Sequence, residues 1–573
     1  MLLPFIRGII RALLLLTLCF VGSSIYVQGQ NLQGLHQQKP FSIRGSLSAG
    51  LTFYQANGIT NRRQPVSWYL SGSPIITVYG VAMPFSLVVS EQERRFSQPF
   101  NQYGVSPYYK WAKLHLGYRN IRFSNYTLGG ANFWGTGVEL TPGRWRIGAV
   151  YGRFNRAVNE DTVVLEGRNQ YVRPTYRRVG YGLKLGYGKP GDYVDMTFFK
   201  ATDDINSIQA PSRQSLVTPM ENIAAGIHSQ FGFWKHKLTF DIDLGASLLT
   251  RNLLLSRGNS RFTIQGLDKL IWINESTAFF TAGQVAANYQ LRQGGIGLVY
   301  QRIDPDYQSL GSYFFQNDLE QITINPRYSF LAGRLNLSGS YGVSRDNLSG
   351  LRGFTTHRTV GSAALSFIPA PALQVNLGYS NFGLGQFRGF GDAFNDSLAV
   401  SVINASYTGS VAYRLSNRQM SHGLTLSGTY QNTNDQNQYT RQYTAASSEL
   451  ASLTYNLTWP VQHINAAISG SYVAIESFGR NIANVGIALN LGRQWFNGKL
   501  RTTLNHSNQK RTANGQADGQ FISTGLSVAI RQGKQNLTVN GFYVYNQYGF
   551  QADGLQFRTF AELRGNLLYG ISF

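Results

Sequence analysis

The chain has 573 residues, a formal net charge of +23, 62 glycines, 13% aromatic residues and only 14% charged residues. Ordinary globular chains carry about 25% charged residues, so this composition fits an apolar outer band with aromatic girdles better than a solvated surface. The basic excess comes from scattered Arg residues with no Lys/Arg run, which argues against a nucleic-acid partner.

The N-terminus comes first. Arg7 and Arg11 precede the apolar run 12–21, and Gly29 offers a small residue for cleavage before Gln30. This pattern predicts a secretory signal peptide over 1–29, a short N-terminal segment over 30–40 and one membrane domain over 41–573. The single cysteine, Cys19, falls in the leader, so no disulfide or Cys-bound metal is expected after cleavage. No later stretch approaches the ~18 continuous apolar residues of a membrane helix. Any membrane crossing is therefore made by strands.

Period-two strands then follow one another. Val179, Tyr181, Leu183 and Leu185 alternate with Arg178, Gly180, Gly182 and Lys184. Leu238, Phe240, Ile242 and Leu244 alternate with Thr239, Asp241 and Asp243, and similar runs begin at Leu335, Leu373 and Val485. One face suits lipid, and the other is small or polar and suits a wet lumen. On the polar parity stand Arg144, Arg146, Arg178 and Lys184, with Asp195, Asp241 and Asp243 near them in order. Two readings stay open: a basic ring that favours anions, or ordinary charge pairing.

Connections alternate short and long. Pro-Gly or Gly turns occur at 141–144, 189–192, 292–295, 331–334 and 531–534. Long connections occur at 157–174, 202–221, 252–275, 304–318, 382–397, 432–446 and 509–519. This rhythm predicts an all-β, up-and-down antiparallel transmembrane barrel of about 24 strands, in the range 22–26. Three strands are expected before Ala131, over 41–54, 73–89 and 109–123. The stretch 90–108 is then too long for a turn and reads as a periplasmic flap or a segment folded into the lumen. The Gly/Phe-rich stretch 382–391 reads as a loop.

Catalytic signatures do not emerge. The eight His are scattered, and there is no HExxH, GxSxG or phosphate-binding Gly-rich loop. Asp203-Asp204 and Asp304-Pro-Asp306 suggest either a calcium site or solvated turn carboxylates, and the latter reading is simpler. No cofactor is expected.

The last strand is the most specific feature. Leu563, Leu567, Tyr569, Ile571 and Phe573 share one parity, ending on the final residue. It resembles the C-terminal strand of bacterial outer-membrane β-barrels. That resemblance implies location in the outer membrane, contact with its lipid, and recognition of Leu567, Tyr569, Ile571 and Phe573 by the barrel-assembly machinery. It also implies a plugless, porin-like channel for passive passage of hydrophilic solutes, since only 30–40 precedes the first strand. The rival reading is a non-enzymatic barrel subunit of a secretion, surface-assembly or uptake complex, filled by a partner protein. An outer-membrane enzyme is the third. Deleting Phe573 is expected to lower the yield of heat-modifiable folded barrel in the outer membrane severalfold. Unchanged insertion would remove the assembly-signal reading.

Overall fold

A strand in lipid has to pair both of its backbone edges, because no water is there to satisfy free N–H and C=O groups. The computed structural model describes residues 40–91, 102–165, 168–258, 266–312, 316–390, 399–548 and 558–573. Among these, antiparallel strands pair in chain order and close as a barrel of 26 strands. The seam joins Ser46–Asn57 to Arg558–Ser572, with Ser46 opposite Ser572 and Asn57 opposite Ala561. Phe573 completes it by donating its N–H to the Gly45 carbonyl at 3.0 Å.

Side-chain alternation follows the pleat. Leu183 and Leu185 project outward, half-exposed, while Gly182 and Gly186 on either side of them lie buried on the inner face. Leu563 and Tyr569 of the last strand are likewise exposed. Leu567, Tyr569 and Ile571 pair with Leu51, Ala49 and Leu47 across the seam, which continues one apolar outer face. A closed antiparallel barrel of this size with an apolar exterior is an outer-membrane β-barrel.

Five strands, not three, precede the strand Gly129–Leu140. They are Phe41–Arg44 continuing as Ser46–Asn57, Val66–Gly72 continuing as Ile75–Val78, Val81–Ser90, Gln102–Val105 continuing as Tyr108–Tyr109, and Ala112–Arg122. The stretch expected as one strand, 73–89, is split by Tyr79-Gly80. Both residues have positive φ, 45° and 81°, as a two-residue hairpin turn requires. Tyr is an unusual choice for such a turn, so its sequence signal is faint. The extra strands also resolve the misfit at 90–108. Gln102–Val105 pairs with Val81–Ser90 and Ala112–Arg122 in the wall. The connection before it therefore lies on the long-loop side and obeys the alternation; its residues 92–101 lie outside the described residues.

Two further connections differ from expectation. The strand Leu373–Arg388 runs on through Phe382 to Arg388, so most of the Gly/Phe-rich stretch is barrel wall. Residues 391–398 lie outside the described residues. The strands Leu500–Ala513 and Gln516–Gln532 meet at Asn514-Gly515, whose φ angles are 50° and 80°. Strict short–long alternation therefore ends in this part of the barrel. A positive-φ pair makes a tight hairpin at either end of a strand.

The largest buried apolar cluster sits inside the barrel rather than between layers. Ile121, Phe123, Leu128, Phe133, Phe154, Phe199 and Leu249 form one cluster. It lines only one arc of the wall, on the inner face of strands between Ala112–Arg122 and Leu238–Thr250.

Candidate functional site

That arc is covered by two loops that fold inward. On the strand Asp192–Asp204, inward Asp195, Thr197, Phe199, Ala201 and Asp203 are all buried, which lumen-facing residues of a wide barrel are not unless something packs on them. The covering segments are 123–128, between Ala112–Arg122 and Gly129–Leu140, and 304–312, after Gly294–Ile303.

The first loop is held by Asp243. Its carboxylate accepts from Ser124 Oγ at 2.6 Å and from the Asn125 N–H at 2.9 Å. Thr127 Oγ1 lies 3.0 Å from Thr197 Oγ1. The second loop docks on the first. Tyr307 donates its hydroxyl to the Tyr126 carbonyl, Ser309 donates to the Thr127 carbonyl, and Leu128 and Gly311 form a parallel bridge. Tyr126 and Tyr307 rings meet edge to face, 6.2 Å apart at 89°. Asn222, fully buried, joins loop to wall: its amide donates to Ser247 Oγ at 2.7 Å and its oxygen accepts from Leu310 N at 3.1 Å. The polar groups taken out of water are thus paired, as burial requires.

Two glycines permit this close approach. A Cβ at Gly245 would stand 2.4 Å from the Tyr126 Cβ and 2.9 Å from the Tyr307 hydroxyl. A Cβ at Gly311 would stand 2.8 Å from the Phe199 ring and from the Thr127 carbonyl oxygen.

The charged residues singled out by parity fall as follows. Arg146 forms a two-pronged pair with Asp195, at 2.7 and 2.9 Å, and its guanidinium lies 3.9 Å from the Tyr193 ring centre. Arg178 makes the same kind of pair with Asp203, at 2.8 and 2.9 Å. Lys184 Nζ sits 5.1 Å from the Phe123 ring centre, against the first inward loop. Asp241 is 3.7 Å from His228 Nε2. Asp243 holds loop 123–128, and Arg144 stands exposed in the turn before Trp145–Asn155, away from the others. No single ring unites them.

The loop carboxylates are not simply solvated. Buried Asp203 also accepts from the Met220 N–H at 3.0 Å, which ties down loop 205–220, while Asp204 pairs with Arg177. Asp304 accepts from Thr281 N and Oγ1 at 2.7 and 2.6 Å. No group of three or more metal-capable His, Cys, Asp or Glu occurs among the described residues.

One chemical arrangement escaped the sequence reading. Ser106 Oγ lies 2.9 Å from His115 Nδ1, and His115 Nε2 lies 2.8 Å from Glu139 Oε1. Hydroxyl, imidazole and carboxylate in series outline an activated nucleophile. Ser106 and His115 are both buried in the wall, however. The series links the turn ends of the wall segments that carry them, and polar packing accounts for it. The inward loops also went unread. The available signal was apolar residues in loops, namely Tyr126, Leu128, Tyr307 and Leu310.

Replacing Asp243 by Ala removes two hydrogen bonds to a charged acceptor, worth about 1.5–3 kcal/mol each. Amides of 124–128 are expected to lose hydrogen-exchange protection while wall amides keep theirs. Gly311→Ala is expected to cost about 1–3 kcal/mol by overpacking, read as a lower thermal midpoint in detergent. Unchanged protection and midpoint would mean that the loops do not dock as described.

No protein-family model and no curated protein matches the chain. Among solved structures, the P pilus usher (PapC) translocation pore is 11% identical, with a TM-score of 0.37 over 93% of this chain and 99% of that one. OccAB2 of Acinetobacter baumannii is 10% identical, with a TM-score of 0.31 over 66% of this chain and 96% of that one. OccK9 (OpdG) of Pseudomonas aeruginosa is 13% identical, with a TM-score of 0.30 over 62% and 92%. At these values the likeness carries no argument about activity. The assignment as a large outer-membrane β-barrel rests on the closed strand ladder and its apolar exterior.

Proposed function

We propose that the protein is a porin-like channel through which hydrophilic solutes pass passively across the outer membrane. What supports this reading is the unequal lining of the barrel. The inward loops cover the arc that runs from Ala112–Arg122 to Gly294–Ile303. The opposite arc, from Leu335–Arg345 round to Arg558–Ser572, turns many short uncharged polar side chains inward along the middle of its strands. Ser340, Thr408, Ser427, Ser469 and Asn505 are examples, and all of them are at least partly exposed.

Hydroxyl and amide groups of this kind exchange hydrogen bonds with water and with passing polar solutes, and they bind neither strongly. Selection then comes from the width left beside loops 123–128 and 304–312 and from lumen charge. The outward apolar face meets outer-membrane lipid. The parity of Leu567, Tyr569 and Ile571, with terminal Phe573, supports delivery by the barrel-assembly machinery.

Purified barrel in a planar bilayer is expected to give steady single-channel steps. Asp243→Ala, which frees one inward loop, is expected to raise the step size or its noise. A silent barrel that co-purifies with a protein filling it would overturn the channel and favour a subunit of a larger complex.

A further inference from the structure

The cations expected on the inner wall, Arg146 and Arg178, are each neutralised by a carboxylate, Asp195 on the second strand over and Asp203 on the adjacent strand. On the arc from Leu319–Phe330 onward, inward cations without a carboxylate partner stand at the turn ends of their strands: Arg327, Arg414, Arg501 and Arg531. Their inward direction follows from register. Arg327 stands opposite Ser338, and its guanidinium donates to inward Gln290 at 3.2 Å. Arg414 follows Thr408, Ser410 and Ala412 on one parity and donates to Ser421 Oγ at 3.3 Å. Arg501 stands opposite Gln494 and Ala529, two residues along from inward Thr503, and Arg531 stands opposite Asn536. All four are exposed, and among the described residues none has a carboxylate partner.

Charge on this arc is also polarised along the barrel axis. From Tyr328 onward, Asp346, Asp435, Glu449, Glu476, Asp518 and Glu562 all stand at or next to the loop ends of strands. The remaining acidic side chains fall in the connections 389–400 and 549–557. The turns carry Arg334, Arg418, Lys499 and Lys534, and no acidic side chain. Arg501 stands opposite Ala529, so Arg531 is its diagonal neighbour, about 7–8 Å away and within about one ~8 Å Debye length of physiological salt. Their fields add, and low-dielectric walls focus them into the lumen.

We propose that this turn-end collar is an anion-selecting vestibule, which draws in small solutes bearing carboxylate or phosphate groups. Exposed guanidinium forks match such groups geometrically. The inference rests on the channel reading for its biological use, but the electrostatic collar is measurable without it.

The probe is a thiol at an inward site beside the collar, Ser527→Cys, which stands opposite Thr503 and Asn540. The only native cysteine is Cys19, so labelling reports on the new one when Cys19 is absent from the isolated chain. Rates are compared for the anionic 2-sulfonatoethyl and cationic 2-trimethylammonioethyl methanethiosulfonates. The anionic reagent is expected to react faster relative to its rate on free thiol. The double variant Arg501→Gln, Arg531→Gln should lower the anion-to-cation ratio about twofold or more, from screened Coulomb energies at ~8 Å and ~14 Å in water. Arg358→Gln, inward at the loop end, should leave it unchanged. In a planar bilayer under a KCl gradient, the reversal potential is expected on the chloride side and should move toward zero in the double variant. A ratio below one, or one insensitive to Arg501 and Arg531, overturns the collar. A barrel that labels with anion preference yet conducts nothing keeps the collar and removes the channel.

Discussion

Lipid offers the backbone no hydrogen-bond partner, and that single constraint organises the structure. Each strand must be flanked on both edges, so the sheet has to close. The seam between Ser46–Asn57 and Arg558–Ser572 is where closure is met, and it unites residues from opposite ends of the chain. The apolar outer parity is a weaker requirement laid on top of this ladder. Between barrel and lipid there is little hydrophobic gain to be had, because both sides are apolar. Ladder hydrogen bonds and lumen packing therefore carry the stability that a soluble protein draws from its core.

Inside the barrel the constraint is relaxed, since water and inward loops can satisfy polar groups. This is where the wall becomes asymmetric. One arc supports a packed interior of Phe133, Phe154, Phe199 and Leu249, roofed by two loops that bind each other as well as the wall. Ion pairs such as Arg146–Asp195 and Arg178–Asp203 lie beneath or beside this cover, where an unpaired charge would be costly. The other arc has no such cover among the described residues, and many of its inward side chains are short, neutral and polar. Charge there collects at the two ends, of mixed sign toward the loops and basic toward the turns.

These two environments explain why parity predicts orientation better than it predicts role. Asp243 and Asp195 look alike in sequence, both inward on polar faces. Asp195 neutralises an arginine on the second strand over, whereas Asp243 captures a loop 119 positions away. Arg146 and Arg501 also look alike, yet only the first has a carboxylate within reach. Local alternation carries no information about which distant segment will sit above a given side chain.

The sequence by itself determined what depends on neighbours along the chain and on the solvent at each face. That includes the period-two alternation, the Pro-Gly turns, the outward Leu567-Tyr569-Ile571 parity and hence a membrane barrel. Turns lacking a strong local signal hid two strands: Tyr79-Gly80 starts its positive-φ pair with Tyr, and the turn after Tyr108–Tyr109 places Lys110 at positive φ, and neither looks like a hairpin. Only the tertiary structure decided which loops enter the lumen, which inward charges are paired and where the uncompensated cations gather. Those outcomes depend on contacts across the barrel between residues far apart in the chain, where closure and loop docking rather than periodicity set the distances.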